Sequence, residues 1–497
     1  MNFDIVIIGN GIIGLSTAYA LNLENPDINI GIIGKRNNMG AASTASGAML
    51  GCFGEVTATS LESIHGQEKL KVAVKSTALW PEWLAKINNS SNHANKLSIK
   101  EGTFILLNSS SGMLDNKNYD AIIAALQLYY EPYQEVDPRE IPGMIPCENS
   151  RPLRALYLSE GSIHSQHLIT AFYDIIENNQ KISFIDDTVI DFNIQSKKVF
   201  SIQTKKGDLI SADRFLLAAG SYSQRLLDKI PQLKFKIPKI FFGSGSSLIL
   251  NCPDHQFKHV IRSPNRAGSC GAHIVPYDEN ILYVGASNNI RLTPKKYPKA
   301  RDIYYLLERA IEQFNQNLHK AEIIKWRVGN RPVTVDTYPL IGKTSITNLW
   351  LATGTYRDGV HTSPWYAQLL SQQMLDKAPG TDNKFLPERP PILPTTKKDS
   401  IKQFIEHYVS AGHEHAIKLP KIGWHELFED IWKHRAENIY TQLATELGLS
   451  PDLLIMLDQE PDGIFLVKEY CDHVIKDNIY NTINPSENEI EKIYEET

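Results

Sequence analysis

Long apolar runs and closely spaced cysteines are both missing from this chain of 497 residues. No stretch approaches the roughly 18 consecutive apolar residues that a membrane-spanning helix needs. The cysteines number only five, are scattered along the chain and form no C-x-x-C pair, which is typical of a reducing compartment. A basic stretch followed by a small-residue cleavage site is also missing near the start. We therefore expect a cytoplasmic protein without a signal peptide.

A strong overall charge is also absent. The chain is 22% charged with a net charge of -5, which marks neither a nucleic-acid binder nor a membrane-surface protein. The charge is uneven, however, because residues 401–497 contain 19 acidic and 8 basic residues. An acidic tail disfavours contact with phosphate backbones, so we expect no nucleic-acid partner.

The first 50 residues predict a strand, a glycine-rich turn, a helix and a second strand. Ile5–Ile8 is a continuous apolar run, which is typical of a parallel strand buried on both faces. The turn is Gly9–Gly14, the helical pattern covers Ile12–Leu23, and the second strand is Asn29–Ile33. Together these elements predict a right-handed βαβ unit.

The turn itself reads Gly9-Asn-Gly11-Ile-Ile-Gly14. In a dinucleotide-binding unit, Gly9 permits the tight turn, Gly11 lets the backbone approach a pyrophosphate, and Gly14 allows the helix to pack closely on the strand. The helix N-terminus then offers N–H groups to the phosphates. Since the motif follows a strand and opens a helix, it predicts a dinucleotide cofactor.

An acidic residue that would bind the ribose hydroxyls is missing from the end of the second strand. That position holds Gly34-Lys35-Arg36. The two basic residues either recognise the 2′-phosphate of NADP, which would indicate an NADPH-linked enzyme, or are simply solvated. A second G-x-G-x-x-G motif is not found in mid-chain, which weakens the first alternative.

Strands and helices alternate in the sequence up to about residue 377. A proline-rich segment at 378–396 then indicates a boundary, and the remaining residues are mostly helical in pattern. We predict helices at Leu79–Ile87, Tyr119–Tyr130, about 301–318 and Ser363–Leu375, and strands at Thr103–Leu107, within 181–220, at Ser247–Leu250, Ile281–Gly285 and Asn348–Ala352.

Several short motifs follow the glycine turn in a fixed order. They are Ala41–Leu50, Glu160–Ile163, Ala212–Gly220, His273–Pro276, Tyr283–Ala286, Gly329–Pro332, Pro339–Gly342 and Ala352–Gly359. In order and spacing these motifs resemble the D-amino-acid oxidase and glycine oxidase superfamily of FAD enzymes over about residues 3–375. The missing ribose acid is a departure that concerns only the adenosine contacts.

The resemblance implies an α/β (α+β) fold with a Rossmann-type FAD-binding domain and an antiparallel-sheet substrate domain. The whole core is expected to span residues 1–377. Its FAD-binding parts are expected at about 1–60, 155–225 and 325–377, and its substrate parts at about 61–154 and 226–324. A linker at 378–396 and an acidic helical C-terminal domain at 397–497 complete the predicted organisation.

The resemblance also implies roles for individual side chains. Arg331 corresponds to the arginine that clamps the substrate carboxylate, for which the planar guanidinium is well suited, although a structural ion pair would also explain an arginine there. Arg357 is expected to contact flavin, substrate or both. His273 and Met49 are expected to line the pocket beside the flavin. The other expected cofactor contacts are Gly9, Gly11, Ile12, Ile13, Gly14, Lys35, Ser43, Thr44, Ser46, Gly47, Ala48, Val189, Ala219, Gly220, Gly354, Asp358, Gly359 and Val360.

The activity implied is oxidation of a C–N bond in an amino acid or a carboxylate-bearing secondary amine, by hydride transfer to FAD. Oxygen or another acceptor would take up the electrons. Oxidation of the C–O bond of a 2-hydroxy acid is the alternative within the same superfamily. We expect no metal, since the histidines of the tail fit no ligand spacing; they are His407, His413, His415, His425 and His434.

The tail adds a further alternative. Trp424–Trp432 and Glu446–Val467 resemble leader modules related to the nitrile hydratase α subunit, which are docking handles for peptide-modifying enzymes. The chain could then be the flavin-bearing component of a biosynthetic complex. Apolar stripes such as Leu427, Ile431 and Trp432, and Ile439, Leu443 and Leu447, need a surface to cover. We therefore predict an ordered helical domain that supplies a partner contact or a pocket lid.

Overall fold

The computed structural model describes residues 1–37, 39–93, 96–253, 255–266, 271–377, 383–414 and 422–476. Cys270, His415, residues 378–382 of the predicted linker and residues 477–497 of the predicted tail lie outside these ranges. No helix within them is long and apolar enough to cross a bilayer.

The strands are β1 Asn2–Ile8, β2 Ile30–Ile33, β3 Gly40–Ala41, β4 Met49–Leu50, β5 Lys100–Asn108, β6 Tyr133–Val136, β7 Pro152–Ser162, β8 Ile182–Ile185, β9 Val189–Gln195, β10 Lys198–Thr204, β11 Leu209–Leu217, β12 Ile240–Asn251, β13 Val260–Arg262, β14 His273–Pro276, β15 Ile281–Gly285, β16 Asn289–Arg291, β17 Glu322–Thr334, β18 Leu340–Lys343 and β19 Leu349–Thr353. The α-helices are α1 Ile12–Glu24, α2 Ala42–Ala45, α3 Ile64–Ser90, α4 Met113–Leu128, α5 Ser165–Glu177, α6 Ser223–Leu227, α7 Ala300–Arg309, α8 Ser363–Met374, α9 Lys397–Glu414, α10 Trp424–Leu443, α11 Pro451–Gln459 and α12 Gly463–Lys476.

The first sheet has five parallel strands at its centre, in the order β19-β11-β1-β2-β8. Ile5 and Ile7 of β1 pack into the cluster that contains α1 and α8. Val6 and Ile8 pack into a second cluster on the opposite face. Both faces of β1 are therefore buried, which explains why its sequence is continuously apolar. The predicted βαβ unit is confirmed.

The second sheet is mostly antiparallel and has the order β3-β17-β12-β15-β14-β13-β5-β7-β4, with β16 and β6 at its sides. Its longest pairing joins β12 to β17. The predicted fold class, a Rossmann-type domain with an antiparallel-sheet domain and a helical C-terminal region, is confirmed. Because β7 and β17 belong to this sheet, the divisions expected near residues 155 and 325 fall inside strands of the second sheet.

Three predicted helices differ clearly from the observed ones in length, and one of them, expected at Tyr119–Tyr130, is observed as α4, Met113–Leu128. The helix expected at Leu79–Ile87 is the middle of α3, which begins after Ser63, where the Ser63 side chain accepts a hydrogen bond from the Gly66 amide at 3.0 Å. This cap marks the start of the helix, which lies several turns before the predicted start at Leu79. The helix expected at about 301–318 ends as an α-helix at Arg309 and continues in other helical turns.

The C-terminal helices pack on the second sheet through a shared apolar cluster. Ile290 and Val333 of the sheet lie in this cluster together with Tyr440, Leu443 and Leu454 of the tail. The predicted stripe is only partly buried: Ile439, Leu443 and Leu447 lie in the cluster, whereas Leu427 is 50% and Ile431 47% exposed. The first half of α10 therefore presents apolar side chains to solvent.

The described part of the proline-rich segment, residues 383–396, lies against the core. Phe385 is buried in the cluster beneath α1 and α8, and Leu393 is buried in the cluster beneath the tail. Arg389 forms a buried ion pair with Asp336. The described part of the predicted linker thus connects the core to the tail along a packed surface.

Candidate flavin and substrate site

The glycine turn between β1 and α1 shows why each glycine is present. Gly9 has a φ of +123°, and a Cβ there would lie 2.3 Å from the Ala218 carbonyl oxygen. A Cβ on Gly14 would lie 2.1 Å from the Gly9 carbonyl oxygen. A Cβ on Gly11 would meet only Ser43 Oγ, at 3.3 Å. Gly9 and Gly14 are thus required by the backbone, whereas Gly11 keeps space open in front of α1.

That space is part of a cavity of about 970 Å³, which we call the flavin cavity. It extends from the end of β2 past the glycine turn to the loop after β19, and it is at the upper end of the usual range for ligand pockets, about 300–1,000 Å³. The predicted residues that line it are Gly9, Gly11, Ile12, Ile13, Lys35, Ser43, Thr44, Ser46, Val189, Ala219, Gly220, Arg331, Arg357, Gly359 and Val360.

Other predicted cofactor residues do not line this cavity; they are Gly14, Gly47, Ala48, Gly354 and Asp358. Gly14 acts through packing, as described above, and Asp358 pairs with Lys69 at 3.1 Å. A Cβ on Gly354, which has a φ of +74°, would meet Thr334 Cγ2 at 2.8 Å, so its role is also in the backbone. The flavin cavity would accommodate an elongated dinucleotide, with its pyrophosphate at the start of α1.

At the far end of the cavity, the basic residues after β2 have acidic partners. Lys35 Nζ lies 3.7 Å from the Asp186 carboxylate, and Arg36 pairs with Glu177. All of these side chains are largely exposed. This arrangement is that of solvated surface ion pairs, and it does not favour a dedicated site for the 2′-phosphate of NADP.

Arg331 lies on β17, where the sheet faces the flavin cavity. Its partner on β12 is Gly243, and its guanidinium lies over Gly245, where a Cβ would lie 2.3 Å from Arg331 Nη1. Gly245 thus makes room for the guanidinium. Arg331 Nη1 donates to the Ser287 carbonyl oxygen at 3.3 Å and to Asn288 Oδ1 at 3.1 Å. Both acceptors are uncharged, and no carboxylate in the described part of the chain pairs with this guanidinium. The ion-pair alternative is thus not what the structure shows.

Arg357 lies in the loop after β19 and is held by neutral oxygens. Its Nη1 donates to Asn265 Oδ1 at 2.5 Å, and its Nη2 donates to the Arg266 carbonyl oxygen at 2.9 Å. It lines both the flavin cavity and a second cavity beneath the C-terminal helices. This position agrees with contact to flavin, substrate or both.

His273 and Met49 lie one layer behind the cavity wall. The His273 ring stacks on Tyr283 with centroids 5.9 Å apart, and Met49 packs against the cluster that contains Tyr277 and Tyr283. Of these residues only Tyr283 lines the flavin cavity. His273 and Met49 thus do not line this cavity themselves, and their place beside the flavin stays a prediction; Tyr283 is one of the aromatic side chains of the wall.

Tyr356 is a site residue that the sequence did not indicate. Its hydroxyl donates to Asp452 Oδ1 of the tail at 2.7 Å and accepts a hydrogen bond from Asn288. Since Asn288 also contacts Arg331, a buried chain of hydrogen bonds connects Asp452 to the predicted carboxylate clamp. A contact between residues 96 positions apart leaves no local signal in the sequence.

Two buried histidines near the site have lowered pKa values, which should make stability depend on pH. His273 and His361 are both 3% exposed. Burial, together with Arg262, lowers the pKa of His273 to about 3, and burial lowers the pKa of His361. Histidine titrates near pH 6.5 in an unfolded chain, so below that pH the unfolded state binds more protons than the folded state.

We therefore expect the free energy of unfolding to fall as the pH is lowered from about 6.5, by up to about 1.4 kcal/mol per pH unit for each of the two histidines. Urea unfolding at pH 7 and pH 5 measures this difference. His273→Gln should have a smaller pH dependence than the parent protein. An identical pH dependence in the two proteins would contradict a neutral buried His273.

Comparisons with known proteins agree with this geometry. The profile of the family described as FAD dependent oxidoreductase matches residues 4–373. A bifunctional protein ThiO/ThiG of Trichormus variabilis is 25% identical over 411 residues, covering 76% of this chain and 53% of that protein. The chain thus spans about half the length of this relative. A D-amino acid dehydrogenase of Vibrio vulnificus is 28% identical over 218 residues, covering 44% of this chain and 50% of that protein.

Among solved structures, glycine oxidase from Geobacillus kaustophilus superposes with a TM-score of 0.65 at 21% identity. The superposition covers 78% of this chain and 99% of the glycine oxidase, so it supports the fold. Because the family profile covers most of the chain and the cavity fits its cofactor, this protein belongs to the FAD-dependent oxidoreductases, as its motifs predict, and FAD is its cofactor.

Proposed function

We propose that the protein oxidises the C–N bond of an amino acid, or of a secondary amine that carries a carboxylate. The observation that carries this proposal is the guanidinium of Arg331 at the wall of the flavin cavity, whose partners among the described residues are the neutral oxygens of Ser287 and Asn288. A planar guanidinium held by neutral acceptors suits a bidentate substrate carboxylate. The names of the relatives, a glycine oxidase and a D-amino acid dehydrogenase, support the same substrate class.

The residues around the cavity indicate which part of the site would bind the cofactor and which the substrate. The first turn of α1 and Ser43 would hold the pyrophosphate, and the loop at 355–360 would hold the flavin ring. Bound FAD supplies the chemistry of accepting a hydride from the substrate carbon beside nitrogen, which leaves an imine for water to hydrolyse. Arg331 would bind and orient the carboxylate. Tyr283, whose hydroxyl donates to the Ala45 carbonyl oxygen at 3.3 Å, would form the adjacent wall.

The cavity lining favours an amine over a hydroxy acid. A neutral amine can lose hydride without help from a base, whereas oxidation of a hydroxyl requires a group that takes its proton. Among the described residues, the lining of the flavin cavity includes no histidine and no glutamate, and its one aspartate, Asp187, accepts hydrogen bonds from the Thr188 and Lys206 amides at 2.8 and 3.0 Å. The neutral His273 is separated from it by Tyr283. A C–N bond is therefore the better match. Electrons would pass onward to oxygen or to another acceptor.

Anaerobic bleaching of the flavin tests this proposal. The protein is mixed without oxygen with glycine, sarcosine, and the D- and L-forms of several amino acids, and in parallel with glycolate, lactate and glycerol phosphate. We expect loss of visible flavin absorbance with members of the amine set only. Bleaching by a hydroxy acid, with none by any amine, would establish the C–O alternative in place of the proposal.

A further inference from the structure

A second cavity, of about 660 Å³, lies between the core and the C-terminal helices, and we call it the outer cavity. Its core side is formed by the start of α3, by Asn265 and Arg266, and by the loop after β19. Its other side is formed by α9 and by residues 448–452 of the tail. Tyr356 and Arg357 line both this cavity and the flavin cavity. A molecule that extends from one cavity into the other would therefore contact the tail.

The tail wall is fixed in place by buried polar contacts. Asp452 accepts the Tyr356 hydroxyl at 2.7 Å, and Glu414 pairs with Arg266 at 2.8 Å. Arg266 in turn accepts a hydrogen bond from Arg357 on its carbonyl oxygen. The C-terminal domain thus contacts Tyr356 directly and Arg357 through Arg266, and both residues lie in the loop after β19. Removing such buried partners leaves polar groups unsatisfied, so the wall is a built part of the site.

The size of the outer cavity exceeds the needs of a small amino acid. A volume of about 660 Å³ lies within the range of about 300–1,000 Å³ that holds drug-sized ligands. Glycine has five non-hydrogen atoms, and its carboxylate is already assigned to Arg331 in the flavin cavity. The outer cavity therefore matches a substituent that the substrate carries beyond its reacting carbon.

The chemistry of the wall indicates a neutral, polar substituent. Two pairs of oppositely charged side chains along it neutralise each other: Lys69 with Asp358 at 3.1 Å, and Lys117 with Glu406 at 2.8 Å. His407 of α9 also lines the cavity, and its buried Nδ1 has no hydrogen-bond partner in the described part of the chain. Burial lowers the pKa of His407 to about 4, so its ring is neutral at physiological pH. A neutral imidazole of this kind suits a hydroxyl or an amide.

We propose that the C-terminal helical domain completes the substrate site and that His407 selects an amino acid, or N-substituted amino acid, with a long substituent bearing an amide or hydroxyl group. This inference rests on the proposed function, because the carboxylate and the reacting carbon are placed by Arg331 and the flavin cavity. His407 is a specificity-determining residue in this scheme. It takes no part in the transfer of hydride.

The experiment compares matched substrates in the full-length, FAD-loaded protein. Both enantiomers of asparagine, glutamine and Nε-acetyl-lysine are paired with apolar amino acids of similar length, namely leucine and methionine, and with glycine as the small reference. We expect the best amide-bearing substrate to have a higher kcat/KM than glycine and than its apolar partner. His407→Leu should lower kcat/KM for that substrate by about 3- to 10-fold, mainly through KM, and leave glycine unchanged.

Two further variants separate recognition from structure. His434→Leu, at an 82% exposed histidine of α10, should change none of these values. His407→Gln keeps a hydrogen-bonding side chain and should recover part of the preference even where His407→Leu folds poorly. A uniform loss on all substrates in both His407 variants, or no change in either, would overturn the role of His407.

The outcomes also distinguish this inference from the proposed function. If the protein oxidises glycine and short apolar amino acids better than any amide-bearing one, the proposed function stands and the inference is wrong. If no carboxylated amine bleaches the flavin, both the proposed function and the inference are wrong.

Discussion

Arg331→Ala is expected to keep its FAD and to lose at least tens-fold in kcat/KM towards carboxylated amines. Removal of one partner of a desolvated charge pair costs about 2–5 kcal/mol, which corresponds to roughly 30-fold to several thousand-fold. The loss should appear largely as a raised KM, because the guanidinium binds a group that does not react. Steady-state kinetics with the best substrate, together with the flavin spectrum of the purified variant, measure both parts.

Two comparisons sharpen this result. Arg331→Lys retains the charge but not the planar fork, so it should recover only part of the activity. Arg301→Ala removes a 63% exposed arginine of α7 and should behave as the parent protein. Wild-type kinetics in Arg331→Ala, or a preferred substrate that has no carboxylate, would reject the clamp.

The cofactor half of the fold could be predicted because its signals are local. The apolar run Ile5–Ile8 is buried on both faces of a parallel sheet. Gly14 is required by its contact with Gly9 in the same turn, and Gly9 by its positive φ and by Ala218 at the end of the adjacent strand. Each of these features depends on neighbours within about ten residues or on the adjacent strand. The sequence pattern therefore states them directly, and the family profile covers the same residues.

The substrate wall could be predicted only in part, because side-chain direction on a strand depends on its neighbours. His273 lies opposite Gly285, and a Cβ there would lie 2.7 Å from His273 Nε2. The missing side chain of Gly285 leaves space that the imidazole fills, so the ring lies behind Tyr283. To predict from the sequence where the His273 ring lies, this pairing must be known, and residues 273 and 285 pair only in the folded sheet.

The C-terminal contribution to the site could not be predicted residue by residue. Periodicity indicated that α10 is apolar on one face, and Ile439 and Leu443 are indeed buried. Periodicity could not show that Leu427 and Ile431, on the preceding turns of α10, are exposed because the surface that covers Ile439 and Leu443 does not reach them. It also gave no sign that Asp452 contacts Tyr356 or that His407 lines a cavity, since those contacts depend on how the tail docks on the core.

Gly11→Val is expected to give a folded protein that contains little or no FAD. Gly11 is the N-cap of α1 with a φ of -78°, which any residue can adopt, so the substitution brings no backbone strain. An added Cβ would meet Ser43 Oγ at 3.3 Å, and the valine methyl groups would extend into the flavin cavity where the pyrophosphate approaches the first turn of α1. Steric exclusion of the cofactor is therefore expected without loss of the core.

Gly14→Val provides the contrast within the same turn. Its Cβ would lie 2.1 Å from the Gly9 carbonyl oxygen, so this variant should lose folded structure as well as flavin. Visible absorbance, the FAD released by heat, and the cooperativity of unfolding followed by circular dichroism separate the two cases. If Gly11→Val retained its full content of FAD, the cofactor pyrophosphate could not lie against this residue, and the orientation of FAD in the flavin cavity would have to be reassigned.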